Sequence, residues 1–231
     1  MTKVSVVTVV LNDPQGLART LESIFSQEEV DIESIVVDGN SKHETLDVIK
    51  SYSEKIYFWL SETDEGIFHA MDKGIQKSTG DWVIFMNAGD VFCSDRILKQ
   101  LDLESSLGYG VVYGAKIMKG ETIDPMPLDA SMKRGVIFAC HQAMLFNKRL
   151  LLGELHYHRD YKIYGDFELV ARLYKNGFRF LRKNIAVANF EGGGVSSFAS
   201  KRKRMEKYLA IYQIFGAFWL IRAIFIRVFK T

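Results

Sequence analysis

The first half of the chain alternates between short apolar segments rich in β-branched residues and segments with helical spacing of apolar residues. The strand-like segments lie at residues 4–11, 32–37, 56–60 and 82–86, and the helical spacing recurs at 17–25, 46–52 and 67–75. A strand that is almost wholly apolar, like the first one, is typical of a sheet covered on both faces. The alternation therefore predicts an α/β fold with a mostly parallel central sheet, flanked by helices and joined by right-handed crossovers.

The second half of the chain follows this alternation less closely. Its predicted elements are strands at 110–117 and 140–146, a helix at 167–174, and a strand or hairpin at 178–190. From about residue 201 the pattern becomes a long basic and aromatic helix. We therefore predict one main domain over residues 1–199, followed by an amphipathic helix over residues 200–231.

Composition and charge limit the possible classes of function. Hydrophobic residues make up 48% of the 231 residues and charged residues 25%, so the chain can bury a core and is not disordered. A net charge of +2 argues against a protein that binds nucleic acid over its whole surface. The two cysteines, Cys93 and Cys140, have no CxxC spacing, and so few thiols favour reduced cysteines in the cytoplasm.

Polar residues follow three of the four strands predicted in the first half. They are Asn12 with Asp13, Asp38, and Asn87 with Asp90. Ligands of open parallel sheets bind at the carboxyl ends of the strands, where several carboxylates would repel one another unless a cation lay between them. A Mg²⁺ or Mn²⁺ ion that carries a diphosphate would satisfy this need. The alternative is that each residue only caps a helix or forms a turn.

Several nucleotide-binding and hydrolytic motifs are absent from the sequence. The turn after the first strand contains one glycine, at Gly16, instead of the GxGxxG pattern of dinucleotide-binding proteins. The sequence has neither the GxxxxGK[ST] loop of P-loop ATPases nor the GxSxG elbow of α/β-hydrolases. Oxidoreductase, ATPase and hydrolase functions are therefore disfavoured.

An ordered series of segments carries a resemblance to one family. The first four are VSVVTVVLN at 4–12, IVVDGNS at 35–41, SETDEGIFHAMDKGI at 61–75 and GDWVIFMNAGD at 80–90. In this order they resemble the motifs of family 2 glycosyltransferases. The segments CHQAMLF at 140–146, GDFEL at 165–169 and GGGVS at 192–196 are similar to the bacterial branch that builds colanic acid, O-antigen and capsule repeats.

The resemblance implies a GT-A fold and a nucleotide-sugar donor, for which we expect a UDP-sugar. It places Asp38 at the nucleobase or ribose and Lys73 near the nucleotide, although Lys73 could also be a solvated residue at a helix end. Asp90 occupies the last position of the family's Asp-x-Asp motif, reduced here to Asn87-Ala-Gly-Asp90, so one carboxylate remains to bind Mn²⁺ or Mg²⁺. The residues expected to bind the donor are Val9, Leu11, Asp38, Glu65, Lys73, Asn87 and Asp90.

The resemblance also assigns the general base to Asp166, with Gly165 in place of the glutamate that usually precedes it. The implied mechanism is an inverting displacement, in which Asp166 accepts the proton of the acceptor hydroxyl. The alternatives are an N-cap role for Asp166 and a base role for Glu168, which we expect to be solvated instead. His141 and Gln142 are predicted to contact the acceptor, with a purely structural histidine as the alternative.

Two further features lie near the predicted site. His156 and His158 have no carboxylate partner at a fixed spacing, so we interpret them as loop residues rather than a metal-binding pair. The glycines at 192–194 are expected to form either a flexible lid over the donor or a tight turn.

The C-terminal segment combines a basic cluster at 201–204 with an uncharged, aromatic stretch at 208–221. In one helix, Arg222, Arg227 and Lys230 would fall on one side and leave a broad apolar face. Such a helix is typical of a membrane interface, where the cations meet anionic headgroups. The alternatives are a helix docked on the main domain and a contact between the subunits of a homodimer.

Together these expectations describe a cytoplasmic enzyme at the inner face of a bacterial plasma membrane. It would transfer one sugar to a lipid-linked oligosaccharide in surface polysaccharide synthesis. Two alternatives remain open at this point. A nucleotidyltransferase would need a glycine-rich basic loop after the first strand, and a catalytically silent sugar-binding or assembly subunit is compatible with the incomplete Asp-x-Asp motif.

Overall fold

The structure, a computed structural model, describes residues 2–192 and 200–228. Its strands are β1 Lys3–Val10, β2 Asp31–Asp38, β3 Phe58–Ser61, β4 Trp82–Phe85, β5 Val91–Phe92, β6 Val111–Met118, β7 Glu121–Ile123, β8 Met144–Asn147 and β9 Phe180–Asn189. Within the described residues they form one nine-stranded sheet in the order β3-β2-β1-β4-β8-β6-β9-β5, with β7 paired to β6.

Helices cover both faces of this sheet. They are α1 Pro14–Phe25, α2 His43–Ser51, α3 Ile67–Lys77, α4 Ile97–Gln100, α5 Leu128–Arg134, α6 Lys148–Leu151, α7 Gly165–Lys175, α8 Lys201–Phe215 and α9 Ala217–Val228. The start of α1 illustrates the local signals, because Pro14 lies in its first turn and the Asp13 carboxylate accepts a hydrogen bond from the Gly16 N–H at 2.8 Å.

The first four strands in the chain form the parallel half of the sheet. β1 pairs in parallel with β2 and β4, and β2 pairs in parallel with β3. Val6 and Val7 are both fully buried but belong to separate hydrophobic clusters on the two faces of the sheet. This double burial explains why β1 is apolar throughout. The predicted α/β fold is confirmed, and the third strand begins two residues later than predicted.

Beyond β4 the sheet is mixed. β8 pairs antiparallel with β4 and β6, whereas β9 runs parallel to β6 with a bulge beside Gly114. A Cβ at Gly114 would lie 2.4 Å from the Ile185 carbonyl oxygen, so the close approach of the two strands requires glycine. The strand predicted at 140–146 is shorter than expected, because His141–Ala143 form a 3₁₀ turn before β8.

The C-terminal segment forms two helices instead of the single one predicted. Gly216 separates them with a φ of 88°, a left-handed conformation that favours glycine. α8 packs on the domain through the buried side chains of Ala210 and Ile211, while α9 exposes Phe218 and Ile221. The expected arc of cations cannot be followed, since Lys230 and the side chain of Arg227 lie outside the described part of the chain.

The described residues contain no helix that is both long enough and apolar enough to span a membrane.

Candidate active site

A cavity of about 890 Å³ opens at the carboxyl ends of β1 and β4. Its walls come from these strand ends, the starts of α3 and α7, the 3₁₀ turn before β8, and the β6–β7 hairpin. The residues predicted from the sequence that line it are Val9, Leu11, Asn87, Asp90, His141, Gln142 and Asp166. The predicted metal-binding carboxylate and the predicted general base therefore face the same cavity.

Asp90 follows β4 in a tight turn and is only 5% exposed. Its Oδ1 accepts a hydrogen bond from the Glu191 backbone N–H at 3.0 Å, and its Oδ2 accepts one from the Gln142 side-chain amide at 2.5 Å. Burial raises the pKa of Asp90, and these two donors offset only part of the effect. Both hydrogen-bond donors to this carboxylate are thus neutral groups of the protein.

Asp166 lies in the first turn of α7, where the helix dipole stabilises a carboxylate. The N-cap position belongs to Tyr164, so the alternative of an N-cap role for Asp166 is wrong. Its Oδ2 lies 2.9 Å from His141 Nδ1, and its Oδ1 accepts a hydrogen bond from the Tyr157 hydroxyl at 3.2 Å. The side chain is 21% exposed, which leaves part of the carboxylate open to the cavity.

His141 connects the two ends of the site. Its Nε2 lies 2.9 Å from Nδ2 of Asn87, an amide nitrogen that can only donate, so in the neutral ring Nε2 accepts and Nδ1–H donates to Asp166. Burial opposes protonation of the ring, but the charge of Asp166 and the hydrogen bond to it outweigh burial and raise the pKa of His141. Asn87, His141 and Asp166 thus form a hydrogen-bonded chain from the end of β4 to α7.

Two of the predicted residues are buried as partners of other protein groups. Gln142 is 1% exposed and donates to Asp90, so it lies beside the predicted metal-binding carboxylate, and its predicted contact with the acceptor stays a prediction. Asp38 is fully buried and does not line the cavity. Its Oδ2 accepts hydrogen bonds from the Ser41 N–H at 3.0 Å and the Ser61 hydroxyl at 2.6 Å, while its Oδ1 has no partner among the described residues.

Two further predicted donor-binding residues lie outside the cavity lining. Lys73 forms an ion pair with Glu62 at 2.8 Å, so its charge is already compensated within the protein. Glu65 is more than half exposed and lies 3.7 Å from the ammonium group of Lys162, which does line the cavity. The structure therefore does not bring Lys73 and Glu65 together with Asp90.

Glu168 was expected to be solvated, and this expectation is wrong. It is 3% exposed, and its Oε1 accepts a hydrogen bond from Arg172 at 2.9 Å and lies 3.6 Å from His158 Nε2. These contacts stabilise α7 from within and leave Asp166 as the carboxylate of this helix that lines the cavity. His156 and His158 lie in the loop before α7, as predicted, with ring centroids 4.9 Å apart.

Three residues of the site were not predicted from the sequence: Tyr157, Lys116 and Glu191. Tyr157 lies in an irregular loop, and the role of Glu191 comes from its backbone N–H, so neither position carries a pattern. Lys116 did offer a signal, because it interrupts the otherwise uncharged strand β6. Of the glycines at 192–194, the structure describes only Gly192, which lines the cavity, and the other two lie outside the described residues.

The residues near Asp90 fit a divalent cation only if other ligands come from outside the chain. Among the described residues, no three His, Cys, Asp or Glu side chains lie close enough together to bind a metal ion. Asp90 nevertheless offers a buried carboxylate whose raised pKa reflects incomplete compensation of its charge. One hard oxygen ligand of this kind suits Mg²⁺ or Mn²⁺ when a diphosphate and water complete the coordination.

Comparison with known proteins assigns the family. The family model described as Glycosyl transferase family 2 matches residues 5–229, nearly the whole chain. The chain belongs to glycosyltransferase family 2. This membership confirms the resemblance seen in the motifs and makes the protein a glycosyltransferase, so the alternative of a nucleotidyltransferase is wrong.

Curated relatives support this assignment over most of the chain. The PGL/p-HBAD biosynthesis glycosyltransferase of Mycobacterium bovis (strain BCG / Pasteur 1173P2) is 30% identical over 208 residues, which cover 84% of this glycosyltransferase and 78% of the relative. The amylovoran biosynthesis glycosyltransferase AmsB of Erwinia amylovora is 29% identical over 219 residues, covering 86% and 72% of the two chains.

Solved structures show the same fold at low identity. TarS 1–349 of S. aureus, in complex with UDP-GlcNAc, matches with a TM-score of 0.73 and 17% identity, covering 92% of this glycosyltransferase and 65% of that chain. The mannosyltransferase PcManGT of Pyrobaculum calidifontis, in complex with GDP-Man and Mn²⁺, matches with a TM-score of 0.62 and 16% identity, covering 92% and 61%. The predicted GT-A fold is confirmed, and this chain spans less than two thirds of either structural neighbour.

Proposed function

We propose that this glycosyltransferase moves a sugar, with inversion, from a nucleotide-sugar donor to a lipid-linked saccharide during synthesis of a bacterial surface polysaccharide. The observation that carries the proposal is the cavity that Asp90 and Asp166 share, in which hydrogen bonds run from Asn87, in the turn that contains Asp90, through His141 to Asp166. A donor diphosphate at one carboxylate and an acceptor hydroxyl at the other would place the anomeric carbon between them.

At the donor end, Asp90 is proposed to hold a Mn²⁺ or Mg²⁺ ion together with the donor diphosphate. The bound ion would stabilise the negative charge of the departing nucleoside diphosphate. Glu191 and Gln142 keep the Asp90 carboxylate in one orientation through their hydrogen bonds. Val9 and Leu11, at the end of β1, form the wall against which the nucleotide would lie.

At the acceptor end, Asp166 is proposed to act as the general base. The acceptor oxygen forms a bond to the anomeric carbon while the bond from that carbon to the diphosphate oxygen breaks, and the nucleoside diphosphate leaves with the electron pair. The proton of the acceptor hydroxyl moves to Asp166. His141 and Tyr157 orient this carboxylate, since each contacts a different one of its oxygens.

The proposed pathway and donor rest on the character of similar proteins. AmsB is named for amylovoran biosynthesis, and TarS and PcManGT have UDP-GlcNAc and GDP-Man bound, respectively. A UDP-sugar is the donor we expect. Because the two structural neighbours bind different nucleotide sugars, the experiment compares donors.

The test is donor binding and turnover by the purified full chain with Mn²⁺. UDP-glucose, UDP-galactose, UDP-GlcNAc, UDP-glucuronate and GDP-mannose are incubated with the enzyme, and release of the nucleoside diphosphate is measured with and without saccharide acceptors. We expect one donor to be turned over, with a product of inverted anomeric configuration by NMR. Binding of a nucleotide without any turnover would favour the alternative of a silent sugar-binding subunit. Absence of both binding and turnover would overturn the proposal.

We further propose that α9 holds the enzyme at the cytoplasmic face of the membrane. Phe218, Ile221 and Phe225 are 71%, 66% and 59% exposed, and Arg222 lies over the ring of Trp219 at 5.3 Å. Exposed aromatic and aliphatic side chains beside a cation suit the boundary between acyl chains and anionic headgroups. This location would bring the cavity to a lipid-linked acceptor.

Truncation after Ser200 would be a poor test, because it also removes Ala210 and Ile211 from the core. The sharper variant replaces Phe218, Ile221 and Phe225 with serine, all on the exposed side. We expect it to lose sedimentation with vesicles containing phosphatidylglycerol while keeping its unfolding temperature. Unchanged sedimentation would refute the membrane role, and loss of a dimer in light scattering would favour the homodimer contact instead.

A further inference from the structure

Lys116 is a cation of the cavity that lacks a carboxylate partner among the described residues. It extends from β6 into the cavity lining, and its Nζ lies 4.3 Å from the centroid of the Phe190 ring. In the described part of the chain, no carboxylate lies within 4.0 Å of this ammonium group. The other lysine of the lining, Lys162, lies 3.7 Å from Glu65, so the two cavity lysines differ in charge compensation.

The position of Lys116 relates it to both ends of the site. Phe190, which lies beneath the ammonium group, directly precedes Glu191, whose N–H donates to Asp90. The positive charge of Lys116 also acts at His141, where it opposes protonation of the ring. Lys116 therefore acts electrostatically on His141 and contacts the residue that precedes the backbone donor to Asp90.

An uncompensated ammonium group has a different energy in an open cavity and in a filled one. While the cavity is open, water and the face of Phe190 stabilise the charge. A substrate that fills the cavity removes much of this water, and a buried cation is then costly unless an anion pairs with it. The substrate that fits this cavity should therefore bring an oxyanion to Lys116.

We propose that Lys116 binds an oxyanion of the nucleotide-sugar donor, either the diphosphate or a carboxylate on the transferred sugar. The inference rests on the proposed donor-binding function of this cavity. With the diphosphate as ligand, Lys116 adds positive charge beside the diphosphate. This charge supplements the metal ion, which a motif with a single carboxylate binds only weakly. With a sugar carboxylate as ligand, Lys116 selects a uronic acid over the corresponding neutral hexose.

The experiment compares wild type with Lys116→Met, Lys116→Arg and the control Lys183→Met. Lys183 lies on β9, the strand beside β6, and does not line the cavity. Calorimetric titrations with Mn²⁺ use UDP, GDP and two matched pairs, UDP-glucose with UDP-glucuronate and GDP-mannose with GDP-mannuronate. We expect Lys116→Met to bind the cognate ligand about 10- to 100-fold more weakly, as loss of a charge-assisted hydrogen bond predicts.

The pattern across ligands identifies the oxyanion. Equal weakening for the free nucleoside diphosphate and its nucleotide sugars would assign the diphosphate, whereas weakening confined to the uronate of one pair would assign the sugar carboxylate. In either case Lys116→Arg should keep most of the affinity, and Lys183→Met should bind like wild type. Wild-type affinity of Lys116→Met for all of these ligands would overturn the proposal while leaving donor binding intact. Absence of binding by the wild-type protein would overturn both proposals.

Discussion

The proposed donor and acceptor ends of the cavity hold their carboxylates, Asp90 and Asp166, in opposite ways. Asp90 is almost fully buried and is held by an amide side chain and a backbone N–H, both of which are neutral donors. Asp166 is partly exposed at the start of a helix and faces His141, a group that can itself gain or lose a proton. The two arrangements suit different tasks.

The proposed tasks are binding of a cation at Asp90 and acceptance of a proton at Asp166. Burial raises the pKa of Asp90, so this carboxylate gains most from a cation that arrives with the donor. Asp166 is partly exposed in the cavity lining, as the proposed general base requires. Substitutions at Asp166, Asp90, His141 and Glu206 should affect the two ends differently, with effects on activity that decrease in this order.

Asp166→Asn should abolish most of the transfer without affecting the donor end. The amide keeps the shape of the carboxylate but cannot accept the proton, so we expect kcat to fall about 100- to 10,000-fold. Affinity for the nucleoside diphosphate should remain within about twofold of wild type, measured by calorimetry. Asp160→Asn, in the exposed loop before α7, is the matched control with full activity expected. If Asp166→Asn kept more than about a tenth of the wild-type kcat, the assignment of the general base would be wrong.

Asp90→Asn should impair binding of the donor and remove its dependence on pH and metal. We expect the Kd for UDP with Mn²⁺ to rise about 10- to 100-fold, and chelation of the metal to have little further effect on the variant. In the wild type, protonation competes with the cation, and because the pKa of Asp90 is raised, binding should weaken as pH falls while still above the ordinary range of aspartate, about 4.

The control for this prediction is Asp81→Asn, at the opposite end of β4 from the cavity. Its donor affinity should follow the wild-type curve at every pH. A variant at Asp90 that retained the wild-type pH dependence would show that another group binds the cation, and the comparison between the two ends would then fail at its donor side.

The position of Asp90 was predictable from the local sequence pattern, whereas the contacts of Asp38 and of the proposed acceptor end were not. The strands of the parallel half are nearly continuous apolar runs, and Asp90 lies in the turn after β4, so the local pattern predicted its place at the sheet edge. The burial of Asp38 could not be anticipated in the same way. Its partners Ser41 and Ser61 are individually unremarkable turn residues, and only the pairing of β2 with β3 brings the second of them to the carboxylate.

At the acceptor end, contacts distant in sequence decide the geometry. The 3₁₀ turn at His141–Ala143 places His141 beside Asp166, although the residues around it have the composition of a strand. The motif resemblance identified both residues, but their hydrogen bond joins positions 25 residues apart and left no periodic signal. The helix break at Gly216 could not be predicted from local sequence either, since a single glycine within an apolar stretch does not show whether the helix continues.

His141→Ala should lower kcat about tenfold and change its dependence on pH. Because the pKa of His141 is raised, the wild-type ring stays protonated up to a pH above the usual value of about 6.5 and holds the Asp166 carboxylate as an ion pair. Activity should therefore rise with pH as the ring loses its proton, and this rise should disappear in the variant. Tyr157→Phe, which removes the other hydrogen bond to Asp166, should lower kcat without moving the rise. An unchanged pH profile in His141→Ala would show that the ring serves only as packing.

The smallest effect on catalysis is expected at Glu206. This residue connects α8 to the segment immediately before α7, at the proposed acceptor end. Its buried carboxylate accepts hydrogen bonds from the backbone N–H groups of Lys162, Ile163 and Tyr164, immediately before α7. Burial acts to raise its pKa, but the bond from Arg202 and these backbone donors outweigh burial and lower it. Their contribution to stability is therefore present above the ordinary glutamate pKa and is lost as pH falls through the lowered value.

Glu206→Gln should consequently destabilise the protein by about 2 kcal/mol at pH 7, measured by urea unfolding, because charged acceptors form the stronger hydrogen bonds. The deficit should shrink as pH falls below the ordinary glutamate pKa of about 4.3 and disappear once the carboxylate of the folded wild type is protonated, below its lowered pKa. We expect kcat to fall only a few-fold, through less accurate placement of Asp166, and UDP affinity to stay unchanged because Asp90 depends on β4 and not on α8. A loss of UDP affinity as large as the loss of kcat would mean that the two ends of the cavity move as one unit.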